Sequence, residues 1–340
     1  MLTSARQERQ LDPRYRRVLS FGDVLDESIG LFRGHWVVFA LVSAACLLPP
    51  GLIELGITAG GALDTRSFVA QIETGVTPDF DSLSRLIGPL LVISLISGVF
   101  ALAWTAAVIV ATDDYVHGVE PHLGRVLSHV LRRYPIAFLA GLLTFLGVML
   151  LAVAAMLLFI VSIVLFPIFI LGTLGAIVGV FLWWLRPTMR TGWLKWLIIL
   201  ATPFGLVIYF TGTWSLALVA AVLEQQSPIG ALRRSMQLVS RHWFRTWGIL
   251  LVAGSIVSVL QYVPTVLVQL PLTILAFIRG QPSLSPTEQT ISLAAGIVTE
   301  VLFASMASIC YAILFIDLRN RRQGTDIAER VSLLEALESD

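Results

Sequence analysis

The side chains able to do chemistry are few and scattered. Glu300 stands in the apolar run ISLAAGIVTEVLFASMASICYAILFI, about one-third of the way in from its outer end, and Gln261 in the preceding run is a possible polar partner. An ionisable group at membrane depth marks a proton or substrate site by default. If the crossing starts near Ile297, however, Glu300 sits at the outer interface, as Glu54 would near the outer end of the first run. Asp113, Asp114, His117, His122 and His129 cluster in a connection. Asp114 and His117 have i,i+3 spacing that a metal could bridge on a helix, but Gly118 and Pro121 interrupt such a helix. Glu224 precedes Ser227-Pro228, a helix-start signal, and is placed to pair with Arg233 or Arg234. The chain holds no Gly-rich phosphate loop, G-x-S-x-G elbow or H-E-x-x-H pair. No catalytic, cofactor or metal site is expected, and the chain reads as a non-enzyme.

The elements that must position these residues are membrane helices. Of 340 residues, 56% are hydrophobic and 13% charged, about half the charge of a typical soluble domain; the mean hydropathy is +0.85. Apolar residues gather in blocks long enough to cross a hydrocarbon layer of ~30 Å. Crossings are expected at about 36–57, with a kink at Pro49 and Pro50, and at 87–111, 247–270 and 294–316. The run 136–185 as one helix would reach about 75 Å. The expectation there is two crossings between 136 and 222, plus an extra re-entrant or interfacial apolar element near 162–185. Arg186, Arg190 and Lys195, with Trp183, Trp184, Trp193 and Trp196, read as an interfacial belt. Cys46 and Cys310 lie in apolar stretches and carry no disulfide or zinc spacing.

Arginine is unevenly placed. It recurs in the N-terminal tail (Arg6, Arg9, Arg14, Arg16, Arg17), at Arg33, at Arg125, Arg132 and Arg133, at Arg233, Arg234, Arg241 and Arg245, and at Arg319, Arg321, Arg322 and Arg330. The connection from 58 to 86 leans acidic instead, with Asp64, Glu73, Asp79 and Asp81. Basic residues beside crossings mark the cytoplasmic side, so both termini are expected inside, which requires an even number of crossings.

An internal repeat organises the arginine-rich segments. Shifting residues 20–36 by 207 places Ser20, Leu25, Ser28, Leu31, His35 and Trp36 on Ser227, Leu232, Ser235, Leu238, His242 and Trp243. Segment 121–135 joins more weakly, with Pro121, Ser128 and Leu131 over Pro228, Ser235 and Leu238. Each is amphipathic at helical spacing. The apolar faces are Phe21, Leu25, Ser28 and Phe32; Leu123, Val126, Val130 and Leu131; and Ile229, Leu232, Met236, Val239 and Trp243.

Three stretches, FGDVLDESIGLFRGHW (21–36), LEQQSPIGALRRSMQLVSRHW (223–243) and DLRNRRQGTD (317–326), resemble the prokaryotic membrane domain found beside glycerophosphoryl diester phosphodiesterases. The resemblance implies a six-helix membrane domain with cytoplasmic termini. The phosphodiesterase itself, a separate barrel domain with acidic metal ligands, has no counterpart in this chain.

The expectation is therefore an all-α, polytopic transmembrane helical bundle of about six crossings, built as three repeats of an interfacial amphipathic helix plus a transmembrane hairpin. The units are a basic tail 1–19, repeats at 20–112, 113–225 and 226–316, and a tail 317–340. Its tail segment TDIAERVSLLEALESD reads as a short amphipathic helix, for a partner or for packing under the bundle. The expected role is a non-enzymatic scaffold or accessory subunit in the plasma membrane, the alternative a small-solute or lipid transporter using Glu300 and Gln261. Expected partners are anionic lipid headgroups, contacted by Arg33, Arg132, Arg133, Arg233, Arg234, Arg241, Arg245, Arg319, Arg321 and Arg322, and membrane-complex proteins, but no nucleic acid.

Overall fold

A computed structural model describes residues 12–60, 80–180, 205–280 and 284–323. The acidic connection at Asp64, Glu73 and Asp79, the belt at 183–196, Arg6, Arg9 and the tail segment 325–340 lie outside the described residues. The elements are α1 (Pro13–Arg16), α2 (Phe21–Ala59), α3 (Phe80–Val116), α4 (Leu123–Val180), α5 (Ala217–Leu223), α6 (Pro228–Val239), α7 (Trp243–Ile278), α8 (Pro286–Phe303) and α9 (Ser305–Gln323). A helical stretch 205–214 leads into α5 through a turn at 215–216.

Among the described residues, six helices are long and apolar enough to cross a membrane: Phe21–Ala59, Ile87–Val116, Leu123–Leu157, Gly205–Leu223, Trp243–Ile278 and Pro286–Arg322. The protein is a multi-pass helical bundle. Helices satisfy every backbone donor and acceptor within the segment, which is what an apolar medium demands. The same demand explains why several expected interruptions are missing. Pro49 and Pro50 lie inside α2 without breaking it, and Pro89, Pro264 and Pro271 sit inside helices in the same way. The one non-helical residue in α2 is His35, at φ −132° and ψ 25°. Residues 162–180 likewise continue α4 instead of starting a separate re-entrant or interfacial element, and residues 181–204 are outside the described set. At 58 residues, α4 measures about 87 Å.

The helices alternate in direction, so α2, α4 and α7 begin at the end where α3, α5 and α9 finish. The core is concentrated at this shared end. Ala106–Ala111, Leu216–Val222 and Ile309–Leu318 supply most of it, joined by Val24, Val126, Val130, Ala231, Leu238 and Val239 from the starts of α2 and α4 and from α6. The amphipathic segments thus pack around the ends of the three returning helices.

The repeat in the first and third segments has a structural meaning residue by residue. Ser20 and Ser227 are both helix N-caps, accepting from Asp23 N–H and Gly230 N–H. Ser28 and Ser235 are both buried. His35 and His242 share one non-helical conformation, the latter at φ −127° and ψ 30°. Trp36 and Trp243 each follow that break and open a crossing. The weaker pairing does not hold at this level: Ser128 is exposed and Leu131 is 78% exposed, whereas Leu238 is 3%. Segment 123–135 keeps the arrangement, an amphipathic start running into a crossing, but without a break. The buried face of α6 is also turned from the expected one, to Ala231, Ser235, Leu238 and Val239, leaving Ile229 69% exposed.

Candidate functional site

Each returning helix ends on a carboxylate held by an arginine. Asp114, on the last turn of α3, accepts from Arg125 Nη2 at 2.9 Å, and the same nitrogen reaches the Glu120 carbonyl at 3.1 Å. Glu224, just past α5, accepts from Arg234 Nε and Nη2 at 2.8 and 2.9 Å, a bidentate clasp. In both cases the arginine lies on the amphipathic segment that follows, 11 and 10 residues on. The neighbouring Arg133 Nη2 donates to Gln225 Oε1 at 2.5 Å, tying α4 to the same corner.

The third carboxylate, Asp317 on α9, has no amphipathic segment after it among the described residues, and it closes on the start of the chain instead. Its side chain is fully buried. Oδ1 accepts from the Leu19 N–H at 2.8 Å; Oδ2 accepts from Arg245 Nη1 at 2.6 Å and from Arg321 Nε at 3.0 Å. Arg245 Nη2 continues to the carbonyls of Leu19 and Ser20 at 2.9 and 3.2 Å, and Arg321 Nη2 donates to the Leu19 carbonyl as well. Asn320 Nδ2 donates to the Tyr15 carbonyl at 2.7 Å, Asp12 N–H donates to the Val116 carbonyl at 3.0 Å, and Tyr15 and Leu19 are buried. The segment 12–20 is therefore strapped across the end of the bundle. A match of residues 44–316 to a family model described as a domain of unknown function (DUF7847) covers four crossings whole, parts of the first and last, and two of the three clasps.

The chain belongs to the DUF7847 family.

No curated protein and no solved structure matches the chain. In this DUF7847 member the segment 12–20 and Asp317 flank the matched region on either side.

Two titrating groups report on the strapped end. Burial first, and then the Arg321 and Arg245 cations, hold the His242 imidazole below the ordinary histidine range. Burial, aided by the Glu27 carboxylate, pushes the Tyr15 phenol up to about 12.

The ten arginines expected at a lipid interface divide into two groups. Arg133, Arg234, Arg245 and Arg321 serve the clasps, and Arg322 Nη1 donates to the Gln237 carbonyl at 2.5 Å. Arg33, Arg132, Arg233 and Arg241 are exposed, with no ion pair among the described residues, and Arg319 is half-buried. Glu224 pairs with Arg234 and not with Arg233. Asp114 is engaged by Arg125, and His117 Nδ1 lies 3.5 Å from Asp113 Oδ1. No group of three or more His, Cys, Asp or Glu stands close enough to hold a metal ion among the described residues.

Glu300 and Gln261 are not brought into hydrogen-bond contact. Gln261 is half-buried on α7 and Glu300 exposed on α8. The polar link between these helices is Thr265 Oγ1 to Thr299 Oγ1 at 3.2 Å. Glu54 on α2 is near enough to Glu300 for their charges to interact.

The Glu224 clasp was expected from the sequence, and the Asp114 and Asp317 clasps were not. The signal for the set was an acid close to the end of each returning helix; for the first two, an arginine follows 10 or 11 residues on. The partners of Asp317 lie 298 and 72 residues away for Leu19 and Arg245, so no spacing within one segment reveals them.

Proposed function

We propose that this protein is a non-enzymatic plasma-membrane scaffold or accessory subunit of a membrane complex, with the strapped end and both termini in the cytoplasm. The observation that carries this reading is the use made of charge. Asp114, Glu224 and Asp317 at the shared end bind arginines of the chain itself, while Arg33, Arg132, Arg233 and Arg241 stand exposed around them with no ion pair among the described residues. Excess arginine at that end is also the basis for placing it inside. The resemblance of 21–36, 223–243 and 317–326 to the membrane domain beside glycerophosphoryl diester phosphodiesterases is a further reason for a supporting role. Crosslinking in cells followed by native purification under gentle extraction is the test. Co-purification of a defined protein at constant stoichiometry is expected; a chain that runs alone sinks the reading.

A second reading, transport of a small solute or lipid, has one observation in its favour. Glu54, Glu300 and the Thr265–Thr299 pair form a polar patch on α2, α7 and α8. Flux through vesicles holding the purified protein, compared with Glu300→Gln, tests it: equal flux in both removes that patch as a transport site.

A further inference from the structure

The exposed arginines do not stand among polar neighbours. Ile29 and Arg33 are one helical turn apart on α2, Leu131 and Arg132 are adjacent on α4, and Ile229 and Arg233 are one turn apart on α6. Ile29 is 36%, Leu131 78% and Ile229 69% exposed, and all three arginines are exposed. On each helix these residues lie off the buried face that packs on the core, which is Val24 and Ser28, Val126 and Val130, and Ala231, Ser235 and Leu238. Each amphipathic segment therefore has two apolar sides, one for the bundle and one for the surroundings, with a guanidinium beside the second. A surface turned only to water does not need large aliphatic side chains, and one turned only to acyl chains does not tolerate a guanidinium. The boundary between acyl chains and phosphate suits both, because an arginine stem lies along apolar surface while its head reaches an anion. The planar guanidinium also binds a phosphate oxygen pair bidentately.

We propose that these three pairs form a set of binding positions for anionic phospholipid at the strapped end, the aliphatic side chain contacting the acyl chains and the arginine contacting the headgroup phosphate. The choice of a lipid over free phosphate rests on the exposed aliphatic member of each pair. The choice of an anionic lipid rests on charge at Arg132 and Arg233: neither makes an ion pair among the described residues, and Glu224 is already occupied by Arg234. The proposal stands independently of the scaffold reading: it concerns the lipid, and it survives if no protein partner is found.

The experiment uses the full chain in nanodiscs, with quenching of its native tryptophan fluorescence by brominated phosphatidylglycerol or brominated phosphatidylcholine. Wild-type protein is expected to favour phosphatidylglycerol. Single variants Arg33→Gln, Arg132→Gln and Arg233→Gln each lower that preference about fivefold, the effect of one basic residue near an anionic surface. Arginine-to-lysine variants at the same positions retain most of it. Inorganic phosphate at millimolar concentration leaves the preference unchanged. Equal quenching by the two lipids in the wild type overturns the proposal, as does a preference that survives all three glutamine variants. Displacement by inorganic phosphate alone assigns the arginines to a soluble anion and overturns it as well. The single variants touch only exposed side chains, so their folding is checked by an unchanged melting temperature.

Discussion

Replacing Asp317 with asparagine preserves shape and removes charge, leaving Arg245 and Arg321 facing each other beside the Leu19 carbonyl with no counter-ion. Breaking a buried pair by removing one partner costs about 3–5 kcal/mol. Arg245 and Arg321 keep 19% and 23% exposure, which places Asp317→Asn near the lower figure. At the opposite end, the half-exposed Arg279 pairs with Glu288 at 2.9 Å, and Arg279→Gln is expected to cost at most ~1 kcal/mol. Thermal unfolding of both variants in one detergent checks the ranking. His242 adds a pH dependence. The folded protein holds its pKa below the unfolded value of ~6.5, so as pH falls the unfolded chain takes up the proton first. Stability is then lost from about pH 6.5 downwards until the folded imidazole protonates too. His242→Gln should flatten that part of the melting-temperature profile; an unchanged slope assigns the loss to another group. Glu224 was legible as an ion-pair residue because its partner is ten positions on. Asp317 was not, because its one local partner, Arg321 at i+4, is an ordinary helix-surface pair, and Leu19 and Arg245 are distant in sequence.

Paired serines with one sequence role carry different structural weight, and helix packing decides which. Ser28 Oγ donates to the Val24 carbonyl of its own helix at 2.6 Å, while Ser235 Oγ donates across to the Thr213 carbonyl, also at 2.6 Å. Ser235→Ala leaves a buried carbonyl short of a donor and should cost about 1–3 kcal/mol. Ser28→Ala should cost clearly less, because the Val24 carbonyl remains within a helical ladder; equal losses in melting temperature contradict this account. The join between 205–214 and α7 is closer still. Trp247 Nε1 donates to the Ile208 carbonyl at 3.1 Å, and a Cβ at Gly212 would fall 2.0 Å from that nitrogen. Gly212→Ala must displace the indole, and a loss of about 1–3 kcal/mol follows from overpacking. The existence of the crossings and the first-to-third repeat could be read from hydropathy and identities. The breaks could not: Pro49 and Pro50 look like the interruption of α2, yet His35 is. A proline removes one donor, which a helix surrounded by other helices tolerates, whereas a turn from an interfacial segment into a crossing needs a change of backbone direction. The rotated face of α6 was equally hidden, since both of its sides carry apolar residues and only the neighbours select the inner one.

At the scale of the molecule, the strap 12–20 and the end of α9 meet at one end of the bundle, so reporters fused before residue 12 and after residue 323 should give the same accessibility in sealed vesicles. Opposite accessibility would contradict six crossings. Deleting residues 12–20 removes the Leu19 donor, the buried Tyr15 and Leu19 side chains, and the Asp12 link to Val116. It is expected to weaken the whole core end, read as faster proteolysis within α9 compared with the full chain. The six crossing-length helices among the described residues agree with the number expected from hydropathy. The dense packing at one end was not legible in the sequence, because composition places apolar residues in crossings without saying which half of each is covered by protein and which by lipid. The strap also has a consequence in time. Leu19 and Asp317 are 298 residues apart, and at ~5–20 residues per second a ribosome needs on the order of 15–60 s to add the second after the first. Through that interval the Leu19 amide lacks its acceptor, and Arg245, 72 residues before Asp317, joins it only for the last part, so the strap is locked only after α9 is made. A chain that stops short of α9 leaves the Leu19 amide and the Arg245 guanidinium without the Asp317 carboxylate.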